Sequence, residues 1–115
     1  MTPTEEQVQN AVAEYLDALG VLWCHSPNGG KRDKIAGARL RRQGAKPGVP
    51  DVLIFGRPPS GDFVGAALEL KIKGGRVSEQ QRGWLDALDE RGWFTAVCVG
   101  VDEAIKTIEF LGYGQ

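Results

Sequence analysis

The chain has 115 residues, 42% hydrophobic and 25% charged, with a formal net charge of −1. That length suits one domain over residues 1–115 with its own core, and no apolar run approaches the roughly 20 residues needed to span a bilayer. The start, Met1-Thr2-Pro3-Thr4-Glu5-Glu6, lacks the regions of a secretion signal, so the expected place of action is inside a cell.

A helix is predicted from Pro3 to Leu19. Val8, Val12, Leu16 and Leu19 recur at helical spacing and Gly20 stops the run. Thr2 is a candidate cap, with Pro3 first in the helix and Glu5 closing a capping box. Val21 to His25 reads as a short strand and Asn28-Gly29-Gly30 as a loop, followed by a short basic helix around Ala36 to Arg42. Pro47-Gly48-Val49-Pro50 cannot be helical. Asp51 to Phe55 then reads as a buried strand, Pro58-Pro59-Ser60-Gly61 as a turn, and Phe63 to Ile72 as the returning strand of a hairpin. Ser78 caps a helix reaching about Arg91, with Trp84, Leu85 and Leu88 on its apolar side. Trp93 to Val99 is a further strand and Asp102 to Leu111 a last helix. The expected architecture is a mixed sheet with helices packed on it. Cys24 and Cys98, both in apolar stretches without CxxC spacing, read as buried thiols. Trp84 and Trp93 fall at core spacing, Trp23 suits the core or a dimer contact, and His25 reads as structural.

Charge is unevenly distributed. Residues 31 to 82 hold 12 of the 14 Lys and Arg but only 5 of the 15 acids. Such asymmetry fits a polyanion-binding face or a solvated basic loop, and charge alone does not choose between them.

The chemistry inside that segment does choose. Alternation along a strand sends Glu69 and Lys71 to one face and Leu68, Leu70 and Ile72 to the other. If the hairpin closes symmetrically about Ser60, positions summing to 120 stand opposite, and Asp51 faces Glu69. Opposed Cα atoms lie roughly 4.5 to 5.5 Å apart, so the two carboxylates can share an ion. Two unpaired carboxylates in contact repel. A hard cation such as Mg²⁺, which accepts one or two carboxylates plus water and phosphate oxygens, removes that cost. Lys71 is suited to orient or deprotonate an attacking water, or to stabilise charge on phosphorus. Without Asp51, a plain salt bridge between Glu69 and Lys71 would be the preferred reading.

Pro50-Asp51 followed by Glu69-Leu70-Lys71 resembles the signature of the PD-(D/E)XK nuclease superfamily. Pro27-Asn28-Gly29-Gly30, Arg32, Gly44 to Asp51, Glu69 to Ser78, Gln81 and Trp84-Leu85 follow in the order of the VRR-NUC family, over almost the whole chain. The resemblance implies a restriction-endonuclease-like α/β fold with an αβββαβ core and Mg²⁺ or Mn²⁺ dependence. It also implies cleavage of branched DNA such as Holliday junctions, and a homodimer. Small stand-alone members are similar to phage proteins, implying action in a host or bacterial cytoplasm. Carried over, Asp51 and Glu69 become metal ligands, the Ile72 carbonyl a further ligand, and Lys71 the catalytic lysine. Gln81 either supports the site or completes a capping box with Ser78. The superfamily often adds an acid from the first helix. Glu5 lies nearer the Val8/Val12/Leu16 stripe than Glu6 does and is the choice, with Gln9, one turn on, as the alternative.

Lys31, Arg32, Lys34, Arg39, Arg41, Arg42 and Lys46 read as phosphate contacts, with Lys73 and Arg76 extending the track. Arg32 is the expected neighbour of the scissile phosphate. The competing functions are a non-catalytic DNA-binding module, a nonspecific nicking nuclease and an RNA nuclease.

Overall fold

The computed structural model describes residues 2–27 and 34–114. Eight elements follow in the order α1 (Glu5–Leu19), β1 (Trp23–His25), α2 (Lys34–Arg42), β2 (Val52–Ile54), β3 (Ala66–Lys71), α3 (Glu79–Glu90), β4 (Phe94–Val99) and α4 (Val101–Leu111). The sheet order is β1-β2-β3-β4. The first two pairings are antiparallel and β3 pairs with β4 in parallel, with α3 as the crossover. Parallel neighbours need such a crossover, so α3 is obliged to lie on one face of the sheet. The αβββαβ order and the mixed sheet expected from the sequence are both present.

Val8, Val12 and Leu16 of α1 and Ala104, Ile108 and Leu111 of α4 bury themselves against Val52, Ile54, Ala66, Leu68, Leu70 and Cys98. One sheet face therefore rests on α1 and α4. The alternate residues of β3, Ala67, Glu69 and Lys71, point to the other face, where Leu85 of α3 is buried. All six residues of β3 are buried, as a central strand covered on both faces requires.

The register is Val52↔Leu68, Leu53↔Ala67 and Ile54↔Ala66, so paired positions do sum to 120. The strands are shorter than expected: β2 begins after Asp51 and β3 ends at Lys71. The tip of the connection is tied down by a hydrogen bond from the Ser60 N–H to the Leu111 carbonyl.

Two local expectations are corrected. Thr4, not Thr2, caps α1. Its hydroxyl accepts from the Gln7 N–H while the Gln7 side chain accepts from the Thr4 N–H, so Glu5 is the first helical residue and not the box partner. Cys24 is exposed, whereas Cys98 is buried. Cys24 pairs with Leu53 on the α3 side of the sheet, and α3 packs on β3 and β4 rather than reaching β1. Trp84 and Trp93 are half-buried, and the Trp23 indole donates to Asp17 of α1 at 2.8 Å. No helix among the described residues is long and apolar enough to cross a membrane.

Candidate active site

Glu69 is 2% exposed and Lys71 8%, the two buried charged residues among the described ones. Their side chains project from one face of β3, with Lys71 Nζ 3.6 Å from Glu69 Oε2. The same oxygen accepts from Gln81 Nε2 at 3.1 Å. Gln81 is held in turn by the cap of α3: its Oε1 accepts from the Ser78 N–H at 2.8 Å, and its own N–H donates to the Ser78 hydroxyl at 3.1 Å. Gln81 thus completes the capping box and also contacts Glu69. Its amide oxygen caps the helix and its amide nitrogen braces Glu69.

Asp51 sits one residue before β2, its carboxylate accepting from the Leu70 N–H at 2.8 Å. That bond lies just past the last rung, Val52↔Leu68. Proline has no N–H, so at Pro50 the ladder cannot continue, and the Asp51 side chain takes the donor that the ladder leaves over. N–H and C=O of one strand residue leave on the same side, which aims the Leu70 carbonyl toward Asp51 as well. The Ile72 carbonyl is engaged differently: it accepts from the Gly75 N–H at 2.9 Å, closing the turn after β3. Gly75 also lies against the Lys71 stem, where a Cβ would stand 3.4 Å from Cδ. That turn keeps the lysine stem covered.

The other carboxylate oxygen, Glu69 Oε1, is buried with no hydrogen-bond partner among the described residues. A buried charged oxygen without a donor is costly, and the Glu69 carboxyl responds by holding its proton. Its pKa is pushed up from 4.5 to about 8, first by burial and then by hydrogen bonding and charge from Asp51; Lys71 opposes this only partly. Something positive, a proton or a cation, belongs between the two carboxyls. No group of three or more His, Cys, Asp or Glu side chains suited to a metal occurs among the described residues. The donor set is therefore two carboxylates, main-chain carbonyl and water, all oxygen, which fits a hard divalent ion of the Mg²⁺ type. The residues present fit such a group.

Other candidates fall further away or elsewhere. Glu5 is exposed in the first turn of α1. Gln9 is half-buried, and its Nε2 is buried without a hydrogen-bond partner among the described residues. It belongs to the helix on the sheet face opposite Glu69. Arg39, Arg41, Arg42, Lys46, Lys73 and Arg76 are all exposed. The first three occupy the last turn of α2, and Arg41 Nη1 folds back to 3.3 Å from where a Cβ on Gly37 would stand. Lys73 and Arg76 lie on the loop between Lys71 and α3. Lys31 and Arg32 fall outside the described residues, and Lys34 is placed only as the first residue of α2. The contact between the Leu70 N–H and Asp51 was not foreseen from sequence; Pro50 standing immediately before Asp51 was the available signal.

The family model described as VRR-NUC domain matches residues 3–102. A solved structure titled "VRR_NUC domain protein" superposes with a TM-score of 0.75 at 24% identity, covering 95% of this chain and 88% of that one. Another, titled "VRR_NUC domain", gives 0.60 at 24% identity, covering 91% and 94%. No curated protein sequence matches the chain.

Proposed function

The chain belongs to the VRR-NUC family, a nuclease-type fold, and from that membership we propose that it is a divalent-metal-dependent endonuclease that hydrolyses DNA phosphodiesters, with branched DNA such as four-way junctions as the preferred substrate. The single observation that carries this reading is the buried, partnerless Glu69 Oε1 beside Asp51. A module that only bound DNA would have no use for two carboxylates set against a polyanion.

Asp51, Glu69 through Oε1, and the Leu70 carbonyl would hold the ion. When bound, Mg²⁺ or Mn²⁺ supplies Lewis acidity toward the phosphate and lowers the pKa of a water. The remaining work falls to the chain. Gln81 and Lys71 occupy Glu69 Oε2, which leaves Oε1 as the free ligand atom and fixes the carboxylate plane. The Lys71 ammonium, held beside the site by its covered stem, orients the attacking water and offsets negative charge growing on the phosphoryl oxygens. As the water oxygen bonds to phosphorus and releases one proton to solvent, the bridging P–O bond opposite it breaks and the leaving oxygen takes a proton from solvent. Arg39, Arg41, Arg42, Lys46, Lys73 and Arg76 supply phosphate contacts, which set affinity and register without reading sequence. Resolving a four-way junction needs two cuts on opposed strands, so a homodimer accompanies this reading. The setting proposed is the bacterial cytoplasm, including that of a phage host.

The test is cleavage of four-way junctions, flaps, splayed arms, plain duplex and RNA with Mg²⁺, Mn²⁺ or EDTA, beside a measured molecular mass. Activity that needs the ion and disappears in Glu69→Ala and Lys71→Ala is expected. Cleavage that persists in EDTA, or in both variants, overturns the mechanism.

A further inference from the structure

We propose that His25 is a positioning residue of the metal site, acting through the main chain of Asp51; the inference rests on the reading of Asp51 and Glu69 as metal ligands. His25 closes β1, where it pairs with Val52, and its Nδ1 lies 2.7 Å from the Asp51 carbonyl oxygen. A carbonyl oxygen has no proton to give, so the ring nitrogen donates, and this fixes the hydrogen on Nδ1 and the plane of the ring.

What makes this bond consequential is where it falls. Pairing of β1 with β2 and of β2 with β3 both end at Val52. Asp51 is the first residue beyond both ladders, and Pro50 before it has no N–H to extend the ladder with β3. Left to main-chain bonding alone, the peptide after Asp51 would sit at a frayed strand end. Instead its carbonyl is held by a side chain from β1, and its carboxylate by the Leu70 N–H of β3 at 2.8 Å. Fastened at both ends, Asp51 has its side-chain direction set before any ion arrives. The outer-layer partners of a metal ligand act in this way, and their loss lowers metal affinity or activity by ~10- to 100-fold. His25 is exposed, so it contributes little core burial; the bond to Asp51 is what its ring offers the fold.

The experiment titrates Mn²⁺ into the metal-free full chain by calorimetry, with metal-free thermal unfolding measured in parallel. It compares wild type with His25→Ala, His25→Asn and His25→Gln. An asparagine amide nitrogen stands where Nδ1 stands, whereas a glutamine amide nitrogen stands near Nε2. The expected result is a loss of ~10-fold or more in Mn²⁺ affinity for H25A and H25Q, recovery in H25N, and similar metal-free melting in all four. Should H25A fail to fold, the comparison of H25N with H25Q decides. Wild-type affinity in H25A, or recovery by H25Q and not by H25N, overturns this inference alone. A wild-type chain that binds no Mn²⁺ overturns the metal reading and this inference with it.

Discussion

Gln81 reaches Glu69 from a position that the helix cap has already fixed: its Nε2 donates to Glu69 Oε2 at 3.1 Å while its Oε1 is held by the Ser78 N–H. The start of α3 and the orientation of the buried carboxylate are thus one arrangement. Because the two functions use different atoms of one amide, they can be separated by mutation.

Ser78→Ala removes the hydroxyl that accepts the Gln81 N–H but keeps the Ser78 N–H that holds the Gln81 side chain. It is expected to cost about 1 kcal/mol of stability with only a small change in Mn²⁺ affinity. Gln81→Ala keeps the N–H that donates to the Ser78 hydroxyl but loses both the acceptor of the Ser78 N–H and the donor to Glu69, so it should lower stability by a similar amount and reduce metal affinity by a further ~10- to 100-fold. Unfolding curves and calorimetric titration read the two effects. Equal affinity losses in both variants would mean that the contact with Glu69 is incidental.

The raised pKa of Glu69 carries a prediction for pH. Between the ordinary value of 4.5 and the folded value of about 8, the folded chain keeps a proton that the unfolded chain has lost. Stability therefore falls as pH rises through that window. Metal-free wild type should lose thermal stability from about pH 5 to pH 8, and Glu69→Gln, which has no proton to release, should show a flatter profile. Mn²⁺ must displace that proton, so its apparent affinity in wild type should climb over the same range and level off above it. A pH-independent affinity would show that Glu69 is already ionised in the metal-free chain.

Much of this site was legible in the sequence because strand alternation leaves few choices. Once Leu68 and Leu70 face a core, Glu69 and Lys71 must share the other face, and only an even register sets Val52 and Ile54 beside Leu68 and Ala66 on the buried side. What was not legible depended on ends and edges. Thr2 with Glu5 and Thr4 with Gln7 satisfy the same capping pattern, and local sequence does not rank them. Cys24 looks like a core residue until the sheet order leaves β1 at an edge beyond the reach of α3. The Leu70 carbonyl and the His25 bond both depend on the ladder stopping at Val52, which follows from Pro50 only once the register is known.

Gly48 tests how closely the loop before Asp51 is fitted to α3. Its φ is +90°, and a Cβ there would stand 2.5 Å from the carbonyl carbon of Gln80, a backbone atom that cannot swing aside. Gly44 also has positive φ, at +106°, but a Cβ there meets nothing within 4 Å. Gly44→Ala should cost only the ~1–2 kcal/mol of the left-handed conformation. Gly48→Ala should cost more, and should weaken Mn²⁺ binding, because relieving the clash displaces the first turn of α3 and Gln81 with it. Indistinguishable melting and metal affinity in the two variants would show that the loop moves independently of the site.

The last turn of α2 tests the basic face. Arg39, Arg41 and Arg42 crowd a helix end where positive charge is favoured by the helix dipole, so their presence alone does not prove contact with DNA. Ile35 of the same helix is 75% exposed and none of the described α2 residues is buried, so α2 stands out from the body of the fold. Changing Arg41 and Arg42 to Ala should therefore affect folding little. If both neutralise phosphates, each lost contact lowers the slope of log K against log salt by about 0.9, and the double variant should bind junction DNA more weakly with a slope reduced by about 1.8. Fluorescence anisotropy across a salt series, in Ca²⁺ to suppress cleavage, measures this directly. An unchanged slope would assign these arginines to capping α2 and move the DNA track to Lys46, Lys73 and Arg76.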